Sequence, residues 1–96
     1  MQESRTKDLE GNVLGKAFGC VLRRLRQGSG LSQEMLGFES GYHRTYISLL
    51  ERGQKSPSLQ TIFNLSKALE VEPAELIKHV ESETHGLSPE TKMTGV

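Results

Sequence analysis

The stretch that decides the fold runs from Ser32 to Arg52, SQEMLGFESGYHRTYISLLER. Ser32 is a strong helix cap, because its side-chain oxygen accepts a bond from an otherwise unpaired amide of the first turn. Glu34 sits in that turn, where the helix dipole favours an anion. A short helix is expected over Gln33–Glu39, ended by Ser40-Gly41. A second runs from His43 to Arg52, with Gly53 as its stop signal and Pro57 a few residues beyond. Two short helices joined by so tight a turn make a helix-turn-helix. Its steric demands can be checked by counting from Gln33. The fifth residue faces the second helix closely and must be small; it is Gly37. The ninth makes the turn and suits a positive φ; it is Gly41. The fifteenth must be apolar to fill the angle between the helices; it is Ile47. All three demands are met at once.

Upstream, residues 1–12 (MQESRTKDLEGN) are charged and aperiodic, and are expected to form a flexible tail. From Val13 the pattern changes. Leu14, Phe18, Val21, Leu22 and Leu25 recur at three- and four-residue steps, one apolar stripe on a helix. Gly15 and Gly19 weaken it by about 1 kcal/mol each relative to Ala, and their spacing reads as a close packing contact. Gln27-Gly28-Ser29-Gly30 ends it. Downstream, Ser58 caps a fourth helix with Leu59, Ile62, Leu65 and Leu69 on one face. Pro73 opens a fifth, where its missing amide hydrogen costs nothing. That helix carries Leu76, Ile77 and Val80 and fades around Glu83, leaving 84–96 as a second flexible tail. No strand-like alternation occurs. The expected fold class is all-α: a compact five-helix domain over 13–83, with the helix-turn-helix at 33–52.

Composition narrows the function. Ninety-six residues make one domain, with a core built from Leu, Ile, Val, Phe and Met because Trp is absent. Cys20 has no internal partner and reads as a small packed side chain; no Cys/His cluster has zinc-ligand spacing, and His79 and His85 read as surface residues. The first residues lack the apolar stretch of a signal peptide. No run approaches the roughly 18 apolar residues of a membrane helix. A soluble cytoplasmic protein is expected, with no membrane partner, no metal and no cofactor. Net charge is zero, but its distribution is uneven. Residues 13–30 carry Lys16, Arg23, Arg24 and Arg26 with no acid, whereas 59–96 carry three Lys against six Glu. A basic front and an acidic back can be oriented by a phosphate backbone; a solvated helix face is the plainer account of the same charges. Neither a Ser/His/Asp nor a Cys/His set has catalytic spacing, so an enzyme is not expected.

Several further anchors now fall into order: Leu22-Arg23-Arg24-Leu25-Arg26, Leu31-Ser32-Gln33-Glu34, Tyr46-Ile47-Ser48, Glu51-Arg52-Gly53 and Pro57-Ser58-Leu59. Together they resemble the lambda-repressor-like domain of the XRE/Cro/CI transcriptional regulators over residues 14–80. Arg44-Thr45-Tyr46-Ile47-Ser48 is also similar to the recognition helix of restriction–modification controller proteins. Two departures stand out. Gly37 replaces the family's usual Ala, which should loosen the second helix. Tyr42-His43 replaces a small aliphatic followed by Ser, Thr or Asp, which makes His43 a poor cap and leaves Tyr42 either buried or laid along DNA.

The resemblance implies a DNA-binding regulator and assigns roles. Arg44, Thr45 and Ser48 would face base edges in the major groove, where Arg donates two bonds to guanine and Thr offers a hydroxyl and a methyl. Tyr46 either joins them at the DNA, stacked on the sugar–phosphate, or belongs to the core; Leu49 either touches a thymine methyl or is surface. Ser32 and Gln33, at a helix amino end, would hold a phosphate, and Arg52, Lys55 and Ser56 would clamp the flanking one. Arg23 would pair with Glu51, with Arg26 or Glu34 as substitutes. The expected partners are double-stranded DNA and a second copy of the chain, joined through Leu76, Ile77 and Val80 on an inverted-repeat operator. At this length no small-molecule sensing domain, and so no small-molecule ligand, is expected. The competing reading is a protein-interaction module of the same fold, such as an antitoxin.

Overall fold

The computed structural model describes the backbone of residues 2–87 and the side chains of residues 13–85. Five helices follow in order: α1 (Gln2–Gly28), α2 (Gln33–Ser40), α3 (Arg44–Glu51), α4 (Leu59–Leu69) and α5 (Pro73–Leu87). No strand occurs among the described residues. α1 packs on α3 and α5, while α2 packs on α3 and α4, so α3 is held between α1 and α2.

The core is one cluster. Ala17, Phe18, Val21 and Leu22 of α1 meet Leu36, Ile47, Leu50, Leu65, Leu69, Leu76 and Val80. Ile47 is fully buried, as its place in the angle between α2 and α3 requires. The caps follow the local chemistry. Ser32 Oγ accepts the Met35 amide at 3.0 Å, and Ser58 Oγ accepts the Thr61 amide at 3.1 Å. Gly41 makes the turn at φ 87°, in the left-handed region.

Five expectations change. Cys20, expected as a small packed side chain, is exposed on α1. α1 begins at Gln2 instead of Val13, so the segment expected as a tail continues the helix; Gln2, Glu3, Arg5, Lys7, Leu9 and Glu10 are all good helix formers. α5 runs on to Leu87, four residues past Glu83, and the remainder of the expected carboxyl tail, 88–96, lies outside the described residues. Leu14 and Leu59 leave the apolar faces assigned to them and are exposed, because α1 and α4 each turn a different edge to the core. Leu76 and Val80 are buried within the chain's own core and cannot meet a second copy; only Ile77 of the three is exposed. α5 lies along α1, and that long contact draws Leu76 and Val80 inward.

Two close approaches explain glycines. A Cβ at Gly19 would fall 2.5 Å from the Glu51 carbonyl oxygen and 2.6 Å from that of Leu50, so α1 lies directly on the carboxyl end of α3. A Cβ at Gly37 would fall 2.5 Å from the Tyr42 carbonyl oxygen. Gly37 therefore does not merely loosen α2. It admits the turn.

Candidate nucleic-acid interface

α3 presents its outer face between two anchored ends. At its start, His43 is the N-cap: its Nδ1 accepts the Thr45 amide at 3.1 Å. The expectation of a poor cap is overturned, since an unprotonated imidazole nitrogen supplies the acceptor a Ser or Asp would otherwise give. Arg44 and Thr45 follow and are exposed; Ser48, one turn on, is half-buried. No hydrogen bond engages these three side chains among the described residues, and together they form one polar ridge. Leu49 is half-buried beside them.

Tyr46 does not belong to that ridge. Its ring packs on Tyr42 with centroids 5.0 Å apart and planes at 49°, and its hydroxyl reaches Thr61 Oγ1 of α4 at 3.3 Å. The core side of its two readings is the one the structure adopts. Tyr42, left open by sequence, is half-buried in the same group.

At the far end of α3, Glu51 is fully enclosed. Arg26 donates to it twice, Nε to Oε2 at 2.5 Å and Nη2 to Oε1 at 3.0 Å. Arg23 adds only a 3.5 Å contact from a half-exposed side chain. The partner is thus chiefly Arg26, the substitute rather than the expected Arg23. Arg26 and Arg23 stand one turn apart on the same helix face, and Arg26 lies nearer Leu31, whose carbonyl it also binds at 2.9 Å. Burial pulls the Glu51 carboxyl up, but the bonds from Arg26 and Gln33 outweigh it and hold the group below the usual carboxylate range. Glu51 in turn keeps the Arg26 guanidinium more firmly protonated.

Gln33 joins this cluster, donating from Nε2 to Glu51 Oε1 at 2.9 Å. Its side chain, assigned to a phosphate, is instead tied inward at the amino end of α2, and Ser32 Oγ is occupied as a cap. What this end offers an anion is the first backbone amides of α2, which have no intrahelical partner. Arg52, Lys55 and Ser56 are exposed in the segment after α3. Lys16 of α1 adjoins them, its backbone and Cγ packed against Gly53, and sequence reasoning missed that neighbour because it depends on the left-handed turn at Gly53. The basic run of α1 is largely neutralised within the fold: Arg26 by Glu51, and Arg24 by Glu83 at 2.7 Å.

A family model described as helix-turn-helix matches residues 22–76. The chain belongs to the helix-turn-helix family. Its likeness to XRE-type regulators, read from sequence, is borne out. Among curated relatives of this helix-turn-helix chain is the control protein C.BamHI of Bacillus amyloliquefaciens, 49% identical over 67 residues that cover 69% of this chain and 83% of the relative. Among solved structures, the restriction-modification controller protein C.AhdI from Aeromonas hydrophila is 51% identical, with a TM-score of 0.62, covering 64% of this chain and 92% of that one. The controller C.Esp1396I, as a tetramer in complex with its natural 35 base-pair operator, is 28% identical with a TM-score of 0.68, covering 74% and 93%. No helix among the described residues is long and apolar enough to cross a membrane.

Proposed function

We propose that this chain is a sequence-specific transcriptional regulator that binds double-stranded DNA as a homodimer on an inverted repeat. The observation that carries the reading is the ridge of Arg44, Thr45 and Ser48, whose side chains make no hydrogen bond among the described residues, on a helix fixed at both ends. Arg44 reads a guanine by two donated bonds, while Thr45 and Ser48 meet neighbouring base edges. The open amides of α2 and the cations Arg52 and Lys55, with Ser56, hold flanking phosphates, which set register without reading sequence. The controllers among its relatives support this assignment, including one seated on its own operator. The regulator acts in the cytoplasm and performs no catalysis.

A protein-interaction module such as an antitoxin would place exposed apolar groups on the outer face of α3; that face is polar. The deciding experiment is selection of bound duplexes from a random pool, followed by titration of the recovered sequence with wild type and Arg44→Ala. A regulator yields a defined inverted repeat whose preference relaxes at one position per half-site in the variant. A pool that returns no preferred sequence would refute the reading.

A further inference from the structure

Tyr42 stands in the turn before α3, and its phenol reaches across to α4. The hydroxyl receives the Asn64 Nδ2 at 3.0 Å and donates to Thr61 Oγ1 at 3.1 Å. Thr61 is buried, and its Oγ1 also meets the Tyr46 hydroxyl at 3.3 Å and Ser58 Oγ at 3.0 Å. A threonine hydroxyl has one proton and two lone pairs. Tyr42 takes one lone pair, so the other lone pair and the proton go to Tyr46 and Ser58 in one order or the other. The atom is saturated. Side chains from the turn, from α3 and from the cap of α4 thus converge on one oxygen inside the fold.

We propose that Tyr42 is a positioning residue for DNA recognition: through Thr61 and Asn64, its hydroxyl fixes the angle at which the start of α3 is presented to the major groove. The inference rests on the DNA-binding reading above. Arg44 and Thr45 lie between Tyr42 and Tyr46, both of whose hydroxyls end on α4. The other end of α3 is fixed independently, by Glu51 on Arg26 and by the close approach at Gly19. With the far end pinned, a small pivot at the near end moves Arg44 most. A small aliphatic at position 42 would hold the turn by apolar contact, which is non-directional. Hydrogen bonds weaken steeply once their angle falls below about 120°, so this node resists rotation as well as separation. Two-pronged base contact tolerates displacements of only about 0.5 Å, which makes that resistance matter for discrimination rather than for folding.

Tyr42→Phe removes the hydroxyl and leaves the ring on Tyr46. Affinity for the duplex recovered by selection from a random pool should fall about three- to tenfold, because the hydroxyl's bonds to Thr61 and Asn64 are both lost. Affinity for a scrambled duplex of equal length should stay within about twofold, and the salt dependence should be unchanged, because phosphate contacts are untouched. Asn64→Ala should produce the same selective loss, and combining the two should add little, as expected for residues acting through one contact. Equal falls on both duplexes, no fall on the selected duplex, or a drop in folded protein large enough to account for the fall would each overturn the proposal. A wild-type protein that binds selected and scrambled duplexes alike would remove the DNA-recognition reading itself, a result distinct from any shown by the variants.

Discussion

Glu51, the last residue of α3, accepts two hydrogen bonds from Arg26 of α1 and is closed off from solvent. One carboxylate thus binds three elements, since Gln33 brings in the start of α2. A buried ion pair adds little over an apolar replacement, yet removing one partner strands the other charge. Arg26→Ala should therefore destabilise by about 3–5 kcal/mol. Arg23→Ala, at a half-exposed site, should change stability by no more than about 1 kcal/mol. Urea unfolding of the two variants compares them directly; equal losses would mean that both arginines share the pair.

The same carboxylate sets an acid limit. Its pKa in the fold lies below the ordinary value of 4.5, so the unfolded chain takes up the proton first as pH falls. The stabilisation is complete above that ordinary value and is lost as pH drops through the lowered one. Glu51→Gln should flatten this part of the stability curve. A variant with wild-type steepness below pH 4.5 would place the acid sensitivity elsewhere.

Gly37 separates two opposed effects. Helix propensity alone makes Gly37→Ala a gain of about 1 kcal/mol. Its Cβ, however, would meet the backbone oxygen of Tyr42 at 2.5 Å, and backbone cannot rotate aside. The turn must open, at a cost of about 1–3 kcal/mol typical of overpacking. The expected outcome is a net loss in thermal stability, with Gly19→Ala worse because two carbonyl oxygens stand in the way. A higher melting temperature for Gly37→Ala would show that the turn yields freely.

Glu70 ends α4 with φ 59°, the one non-glycine residue at positive φ among those described. An L side chain there costs about 1–2 kcal/mol. Glu70→Gly should recover part of it, about 0.5–1 kcal/mol, the rest being offset by the freer unfolded chain. Chemical denaturation should show a raised midpoint at unchanged slope. A lowered midpoint would mean that the Glu70 side chain contributes more than its backbone costs.

The helix-turn-helix was legible because its requirements are local. Ser32, Gly37, Gly41 and Ile47 each answer a demand set by residues a few positions away. What sequence missed was non-local. Arg23 and Arg26 are indistinguishable until α1 is rotated against α3, and Leu76 and Val80 look available until α5 is laid along α1. Gln33 has the right place for a phosphate, but only the fold brings Glu51 within reach of its amide. The Tyr42 node needs Thr61 and Asn64 on the correct side of α4, which periodicity does not specify. His43 is hard to see as a cap for a chemical reason: imidazole is rarely counted among caps, although its unprotonated nitrogen can accept the same bond.

Lys55 and Arg44 should separate phosphate binding from base reading. Lys55→Ala should weaken every duplex by a similar factor and lower the salt slope by about one unit. Arg44→Ala should cost about 1–3 kcal/mol on the selected duplex alone. Anisotropy titrations at several salt concentrations resolve both quantities. A Lys55→Ala slope equal to wild type would remove that residue from the phosphate clamp.

The dimer surface must now be drawn without Leu76 and Val80. One recognition helix reads too few base pairs to single out a site, so a second copy about 34 Å away is needed to reach the next major groove on the same side of the duplex. The exposed apolar residues of α4 and α5 supply the alternative: Leu59 at 72%, Phe63 at 52% and Ile77 at 45%. Leu59 and Phe63 are one turn apart and share a ridge of α4, whose opposite side carries Leu65 into the core. Apolar groups left open can serve as an interface where they form one continuous patch. Phe63→Asp and Ile77→Asp should each leave a folded chain that sediments as a monomer at micromolar concentration and binds the full inverted repeat more weakly. Leu76→Asp, by contrast, should unfold the chain, because it places a charge inside the core. Dimers that persist in both surface variants would move the interface to another face, and a wild-type monomer bound to the full operator would end the two-fold model.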